Sequence, residues 1–474
     1  MIITRSVLSA QNEFVSVKDS RFTLKDMEFS FLGFNAYYLQ NEAAKGNRYI
    51  VDDVFNAARE CSAKVIRTWA FYEAGKLTYP GVIRYSPGEY NEKALESLDY
   101  VLLKAKENDV KLILTLANAN PDFGGINQYI DWANSFLAPG AGGRAYVYRD
   151  FFLNQTIKQW YKDYVYLLLN RTNTLTGIKY KDDPSIFAFE MINEAENLSE
   201  DFNLVLRWYD EISTYIRKID SNHLIATGEA GYDMMDHLYA DADFFYNSSY
   251  FLFDGCKGTS YYLNSDLMNV DITSYHLYPD GWQISASSGS TWINDHEVIA
   301  SKLNKPSLLG EFGIRNNKPE VYRQWLSSIE KTRNKSALAW QYLHPDIISD
   351  DDGFGFSNID IEIMQLIRTY NENLKNNVAK EVQVVSSAEL FQNYPNPFNP
   401  VTFIRYSLPE DQEISLELYN ALGQMIAVID KGIKQKGEHI VTLSLDDNAL
   451  SSGAYFYTLK TQGEIQSKKL MLLK

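Results

Sequence analysis

The sequence predicts an α/β chain in two parts: an eight-stranded (β/α)8 (TIM) barrel followed by a small all-β, immunoglobulin-like sandwich. Three observations predict it. Apolar runs of strand length alternate with longer amphipathic stretches between about residues 28 and 370. Two of those runs, PSIFAFEMINEAEN (Pro184–Asn197) and KPSLLGEFG (Lys305–Gly313), share one plan: a proline, a short buried strand, then a glutamate at its end. Beyond residue 389 the helical period vanishes, and short alternating strands recur between Pro, Gly and Asn.

Taken in order, the strand candidates are Phe29–Tyr38, Lys64–Ala70, Val110–Ala117, Ile186–Ile192, His223–Thr227, Val270–His276, Ser307–Gly310 and Ala337–Leu343. Helical spacing of apolar residues marks Asn91–Lys106, Asn203–Ile219 and Pro319–Thr332 between them. Such alternation over this length fits a barrel with enlarged loops. An open doubly wound sheet competes, but no Gly-rich phosphate turn follows the first strand. The polar, weakly patterned Asn371–Ser387 reads as a linker. The expected organisation is an N-terminal segment (1–27), a barrel domain (28–372), a linker (373–388) and a sandwich (389–474).

Composition narrows the function. With 474 residues, 45% apolar, the chain can bury a full core; its net charge of −16 argues against nucleic acid or an anionic membrane surface as partner. A neutral polymer stays compatible, and 14% aromatic residues suit the flat faces of sugars, although most aromatics in any protein are core. Two cysteines, Cys61 and Cys256, are too few for a disulfide framework or a metal site. One bridge between them stays open, with two unpaired buried thiols the simpler reading. No apolar run reaches the ~18 residues of a membrane helix. The opening MIITRSVLSAQ lacks the apolar centre of a signal peptide and reads as a truncated remnant of one.

Glu194 and Glu311 carry the chemistry. They end two strands 117 residues apart in sequence (311 − 194), and a parallel barrel opens all its strand C-termini onto one face. Glycoside hydrolysis needs such a pair: an acid to protonate the departing oxygen and a carboxylate opposite it, about 5–5.5 Å away when the second attacks carbon directly.

The residues around this pair resemble glycoside hydrolase family five, of the clan whose acid/base and nucleophile follow barrel strands four and seven. The resemblance spans about residues 28–345: LGFNAYYL (Leu32–Leu39), VIRTWAF (Val65–Phe71), FGGINQYIDW (Phe123–Trp132), Asn193-Glu194, HLYPDGW (His276–Trp282), GEFG (Gly310–Gly313) and LAWQY (Leu338–Tyr342). It implies Glu194 as acid/base and Glu311 as nucleophile, with Arg67, Asn193, His276, Tyr278 and Trp340 completing the innermost sugar site. Each role has a physical reason. Arg67 can hold Glu311 ionised; Asn193 can donate to the sugar 2-hydroxyl; Tyr278 can orient the nucleophile; Trp340 can floor the ring. Glu194 needs a raised pKa, expected from burial and from the charge of Glu311. Trp282, Tyr37, Trp69 and Trp132 could line the cleft or pack behind it. Glu190 and Glu229 are read as buried structural pairs, and Asp350-Asp351-Asp352-Gly353 as a solvated loop without calcium-ligand spacing. No metal or cofactor is expected.

Within the family, Tyr37-Tyr38, VIRTWAF and HLYPDGW are most similar to endo-β-1,4-mannanases. Two departures stand out: Asn118-Ala119-Asn120-Pro121 where a tryptophan is usual, and Ala195-Glu196 where Pro-Arg often contacts sugar on the leaving-group side. The expected activity is a retaining endo-β-1,4-mannanase acting on mannan or glucomannan. A β-1,4-glucanase, an exo-β-mannosidase and a sugar-binding pseudoenzyme are the alternatives. The tail, NYPNPFNPVTFIRYSLP (Asn393–Pro409) with GAYFYTLK and KKLMLLK, resembles the type A sorting domain of bacterial type IX secretion. That implies secretion machinery as a partner and a secreted or cell-surface enzyme. A carbohydrate-binding module competes for this segment and would need a row of exposed aromatics.

Overall fold

The computed structural model describes residues 14–473 except 77–78, 138–143, 198–200, 202, 234–249, 384–387, 394 and 446–449. Eight parallel strands form the first unit: β1 (Leu32–Asn35), β2 (Val65–Trp69), β3 (Lys111–Thr115), β4 (Ile186–Glu190), β5 (Leu224–Ala226), β6 (Thr273–Leu277), β7 (Ser307–Phe312) and β8 (Ala337–Ala339). Each falls inside or across one expected run. They pair in the order β5-β4-β3-β2-β1-β8-β7-β6. A parallel bridge between Ala226 and Ile272 joins the two ends and closes the barrel.

Nearly every strand residue is buried, as expected when helices cover a parallel sheet outside and side chains fill it inside. The helices follow the apolar spacing of the sequence: α1 (Glu92–Glu107), α2 (Asn203–Ile219) and α3 (Lys318–Ile329) lie where it placed them. The helix Gln155–Asn170 starts at an Asn154 cap, whose side chain accepts from the N–H groups of Thr156 and Ile157 at 2.9 and 3.2 Å.

Two expectations need correction. The described part of the N-terminal segment packs onto the barrel: a separate three-stranded antiparallel sheet from Ser16 to Glu28 plugs the end away from the strand C-termini. Its Phe22 joins Phe31, Val65, Ile113, Phe187 and Leu338 in one apolar cluster, with the Phe22 and Phe187 rings edge to face at 5.1 Å. The polar stretch read as a linker is helical as far as Gln383, within α4 (Ile361–Gln383). Its Asn371 is buried against β1, accepting from Leu32 N–H at 2.9 Å and donating to Leu32 O at 2.8 Å. Asn, Glu and Lys defeat an apolar pattern without defeating helix.

The second unit has two antiparallel sheets, β9-β10-β13 and β12-β11-β14-β15. These strands are β9 (Glu389–Leu390), β10 (Val401–Leu408), β11 (Gln412–Tyr419), β12 (Met425–Lys434), β13 (Gly437–Ser444), β14 (Gly453–Lys460) and β15 (Ile465–Leu472). Inward residues of both sheets share one core, including Ile404, Tyr406, Leu416, Tyr457 and Leu470. Tyr406, Tyr455 and Tyr457 are buried; the exposed rings Phe403 and Phe456 lie on β10 and β14, in different sheets. The described residues therefore do not form the aromatic row a sugar-binding module needs. None of their helices is long and apolar enough to cross a membrane.

Gly33 sets how closely β1 approaches its neighbours. A Cβ there would meet Val65 O at 2.0 Å and Leu338 Cδ2 at 2.8 Å. Gly33→Ala is expected to lower barrel stability by about 3 kcal/mol, read as a shift in urea midpoint by tryptophan fluorescence. All eight tryptophans precede residue 341, so the signal reports the barrel alone. An unmoved midpoint would show that β1 has room to spare.

Candidate active site

Arg67, on β2, is the centre of the barrel mouth. It is 1% exposed, and its nitrogens spread across the barrel. Nε donates to Glu190 Oε2 at 2.6 Å; Nη1 donates to Asn35 Oδ1 at 3.1 Å and to Glu311 Oε1 at 2.5 Å; Nη2 donates to Asn193 Oδ1 at 2.7 Å. Glu190 Oε2 also accepts from Thr115 Oγ1 at 2.6 Å. Glu190 is therefore the structural pair expected. Asn193 commits one amide hydrogen to Asn118 Oδ1 at 3.1 Å, which leaves the other for a ligand.

Glu194 and Glu311 face one cleft. One oxygen of each, with a ring nitrogen of His276, lie within 4.8 Å of one another. Glu311 Oε2 accepts from Tyr278 OH at 2.6 Å. Glu194 Oε1 lies 2.8 Å from His276 Nδ1, and Oε2 accepts from Asn120 Nδ2 at 3.1 Å. The three groups are the described cluster closest to a metal-ligand arrangement. Donors already face both Glu311 oxygens, however, which opposes a cation there.

Burial pushes the Glu194 carboxyl up, but the hydrogen bond and charge of His276, with Arg67 and Asn120, outweigh it and hold it below the ordinary range. Glu311 moves the other way: burial, with the charge of Glu194 adding to it, outweighs His276, Arg67 and Tyr278. This reverses the expectation for Glu194. The cause is the His276 contact, which sequence placed at a strand end without revealing its partner.

The cleft encloses about 420 Å³. Trp69, Trp282 and Trp340 line it. Tyr37 is not among the lining residues; its ring stacks on Trp340 at 5.6 Å and lies 4.7 Å from Trp69. Trp132 is packing, buried beside the Arg84 guanidinium at 5.1 Å. The acidic run is more than a solvated loop. Asp352 Oδ2 accepts from Trp340 Nε1 at 2.7 Å, while Asp351 Oδ1 takes the N–H groups of Gly353 and Gly355 at 3.0 and 2.8 Å. Glu229 is a buried structural carboxyl, bonded to Asn264 and to Thr259 Oγ1 at 3.0 Å and pushed up to about 8 by burial. Cys61 is free and buried; Cys256 is free but exposed, against the expectation of two buried thiols.

Several lining residues escaped the sequence reading: Asn118, Asn120, Tyr232, Lys257 and Arg315. The Asn-Ala-Asn-Pro departure was the available signal for the first two, since an amide after strand three can reach what a tryptophan would cover. Nothing in the spacing marked Lys257.

Comparison with known proteins agrees with this geometry. Residues 12–338 match the model for glycoside hydrolase family 5, beta-mannosidase-like, and residues 392–473 match the secretion system C-terminal sorting domain. Mannan endo-1,4-beta-mannosidase 3 of Arabidopsis thaliana is 32% identical over 363 residues, covering 73% of this chain and 84% of that protein. Putative mannan endo-1,4-beta-mannosidase 9 of Oryza sativa subsp. japonica is 33% identical over 367 residues, covering 73% and 85%. Among solved structures, the endo-1,4-beta-D-mannanase of Thermotoga petrophila RKU-1 superposes with a TM-score of 0.65 at 32% identity, over 73% of this chain and all of that one (100%). The endo-1,4-beta-mannanase of Rhizomucor miehei gives 0.66 at 29% identity, over 77% and 99%. The chain therefore belongs to glycoside hydrolase family 5, among its β-mannosidase-like members, and its C-terminal sorting domain marks this glycoside hydrolase for secretion.

Proposed function

We propose that this protein is a secreted retaining endo-β-1,4-mannanase, hydrolysing mannan or glucomannan by double displacement with Glu311 as nucleophile and Glu194 as acid/base. The observation that carries this reading is the approach of a Glu194 oxygen and a Glu311 oxygen to within 4.8 Å across one cleft. That is the spacing of direct attack rather than of an intervening water. The mannanase relatives in plants, a bacterium and a fungus support the substrate.

Two carboxyls this close titrate as a pair, so what matters is which one keeps the shared proton; burial and neighbouring charge favour Glu311, whereas the hydrogen bonds around the two favour Glu194. Glu311 Oε1 faces an Arg67 N–H and Oε2 faces the Tyr278 hydroxyl. A proton on Glu311 would point at a donor, or force the Tyr278 hydroxyl to turn round. Glu194 has the alternative: the line between its Oε1 and His276 Nδ1 accommodates a proton on either atom. With the proton on Glu194, Glu311 attacks the anomeric carbon, the glycosidic bond breaks, and Glu194 protonates the departing oxygen. The ester with Glu311 removes the negative charge beside Glu194. Glu194, now ionised, takes a proton from water as it attacks the same carbon, and Glu311 leaves as carboxylate. Asn193 is placed to hold the 2-hydroxyl through both steps.

Reducing-sugar release from mannan, glucomannan and cellulose tests the reading. Wild type should favour the first two. Glu311→Gln should lose at least about 10⁴-fold in kcat, and Glu194→Gln about 10²–10⁴-fold, with less loss on substrates whose leaving group needs no proton. Equal activity in wild type and Glu311→Gln would refute the mechanism; cleavage of cellulose alone would overturn the substrate.

A pH profile tests the proton placement. The Tyr278 hydrogen bond is one of the contacts that lower Glu311. Its removal in Tyr278→Phe leaves burial less opposed, so the Glu311 pKa rises. Because the nucleophile must be ionised, the acidic limb of kcat/KM should move to higher pH. A limb that stays put or moves down would show that Glu311 does not govern it.

A further inference from the structure

Glu229 is a buried carboxyl that the chemistry above leaves unused, and the chain around it carries the mount of the acid/base. Residues 227–231 follow β5 without regular structure of their own. Thr227 O accepts from Ile192 N–H at 3.4 Å, Gly228 O from Glu194 N–H at 2.7 Å and Ala230 O from His276 N–H at 3.3 Å. Glu194 and the imidazole beside its carboxyl are thus both tied to this stretch, on either side of Glu229. The Glu229 side chain is 1% exposed. Its Oε1 accepts from Thr259 Oγ1 at 3.0 Å and from Asn264 Nδ2, which also donates to Thr259 Oγ1 at 2.9 Å. Thr259 and Asn264 belong to the connection between β5 and β6 and are buried too.

We propose that Glu229 is a positioning residue for the acid/base: by fastening residues 227–231 to Thr259 and Asn264, it fixes the carbonyls on which Glu194 and His276 hang. The proposal rests on the mannanase reading above, in which Glu194 is that acid/base. Glu194 is sensitive to its mount, because its left-handed φ of 51° is strained and its N–H is anchored on Gly228 O. A displaced Ala230 carbonyl would shift His276 too, so one slip disturbs both ends of the 2.8 Å contact between them. The surroundings suit a neutral carboxyl. Among the described residues no lysine or arginine pairs with Glu229; the titratable groups that bear on it are Asp233, Tyr209 of α2 and Tyr261 of the short helix Tyr261–Ser265. Asp233 accepts from Ser260 Oγ at 2.7 Å and from Tyr262 N–H at 2.9 Å. Glu190, which packs behind Gly228, is paired with Arg67, and His296, beside Gly231 O, is pushed down to about 4 by burial. Burial, with the charge of Asp233 adding to it, outweighs the donors on Glu229 and pushes it up to about 8. At neutral pH it therefore keeps its proton. Two donors already serve Oε1, so the proton belongs on Oε2, and the buried Thr227 Oγ1 is the hydroxyl there to accept it. That bond spans Gly228, the residue whose carbonyl holds Glu194. When the carboxyl ionises, it loses this donor and meets the charge of Asp233.

The test uses the full chain and dinitrophenyl β-mannobioside. Its leaving group needs no proton, so turnover is limited by water attacking the ester with Glu311, the step in which Glu194 acts as base. Azide attacks the same carbon with no proton to give up; the C–N bond forms as the bond to Glu311 breaks, and Glu194 is bypassed. Glu229→Leu should lose about 10- to 100-fold in kcat, and azide should restore most of it, with a glycosyl azide as product. Glu229→Gln has an acceptor and a donor at every pH, so it should recover most of the kcat lost in Glu229→Leu. It should also lack the decline that the wild type shows above about pH 8. An undiminished kcat in Glu229→Leu, a loss there that azide leaves in place, or coinciding pH profiles of wild type and Glu229→Gln would overturn the proposal and leave the enzyme reading intact. The pH comparison decides alone where Glu229→Leu does not fold. Glu194→Gln is the control: if azide fails to restore that variant, the acid/base reading falls, and this one with it.

Discussion

The barrel mouth depends on burying one guanidinium. Taking an arginine out of water costs several kcal/mol unless its donors are met, and Arg67 meets them with four partners drawn from β1, β4, β7 and the turn after β4. The planar fork makes this possible, because its donors diverge in fixed directions while an ammonium presents a point charge. The consequence is geometric. Glu311, the proposed nucleophile on β7, takes its orientation from Arg67 on β2, so closure of the sheet and readiness of the site are one condition.

The same arrangement leaves a charge imbalance at the centre. Arg67 serves two buried carboxylates, Glu190 and Glu311, and Glu194 stands as a third nearby. Glu190 is stabilised outright, with Thr115 as a second donor on the same oxygen. Glu311 shares its cation and sits next to another acid, so its ionised form is less secure, as burial pushing it upward reflects. A nucleophile should be like this. A carboxylate held as firmly as Glu190 would gain little by forming an ester.

Much of this was legible before any coordinates. The eight strands and the two strand-end glutamates followed from apolar runs and from what ends each run; Arg67, Asn193, His276 and Tyr278 around them followed from the resemblance to glycoside hydrolase family five. Glu190 and Glu194 were separable by the same logic, one within a strand and the other past its end. What escaped was set by contacts between loops. Lys257 meets Glu196 because two long connections converge, and sequence spacing carries no trace of that. Asp352 looked like a solvated acid because its partner, Trp340, comes from the preceding strand end. The three-stranded sheet that plugs the barrel was hidden because its Phe22 joins a cluster only when Phe31 and six barrel strands contribute the rest.

The two glutamates proposed as catalytic are held in different ways, and the difference has a cost. Glu311 lies within β7, where the pairing with both neighbouring strands shifts register between Leu309 and Phe312, and is held by its side-chain partners. Glu194 is placed by its backbone, which adopts a left-handed φ of 51°. For a residue with a Cβ this costs on the order of 1 kcal/mol. A strong anchor offsets it: Glu194 N–H donates to Gly228 O at 2.7 Å. Gly228 has a positive φ of its own, and a Cβ there would come within 2.3 Å of Ile192 O and 2.7 Å of Glu190 Cγ. The glycine therefore supports the acid and spares the mount of the arginine in one position. Strain in the loop after β4 and close packing behind it are the two halves of one device, which turns a carboxyl out of the strand and across the cleft.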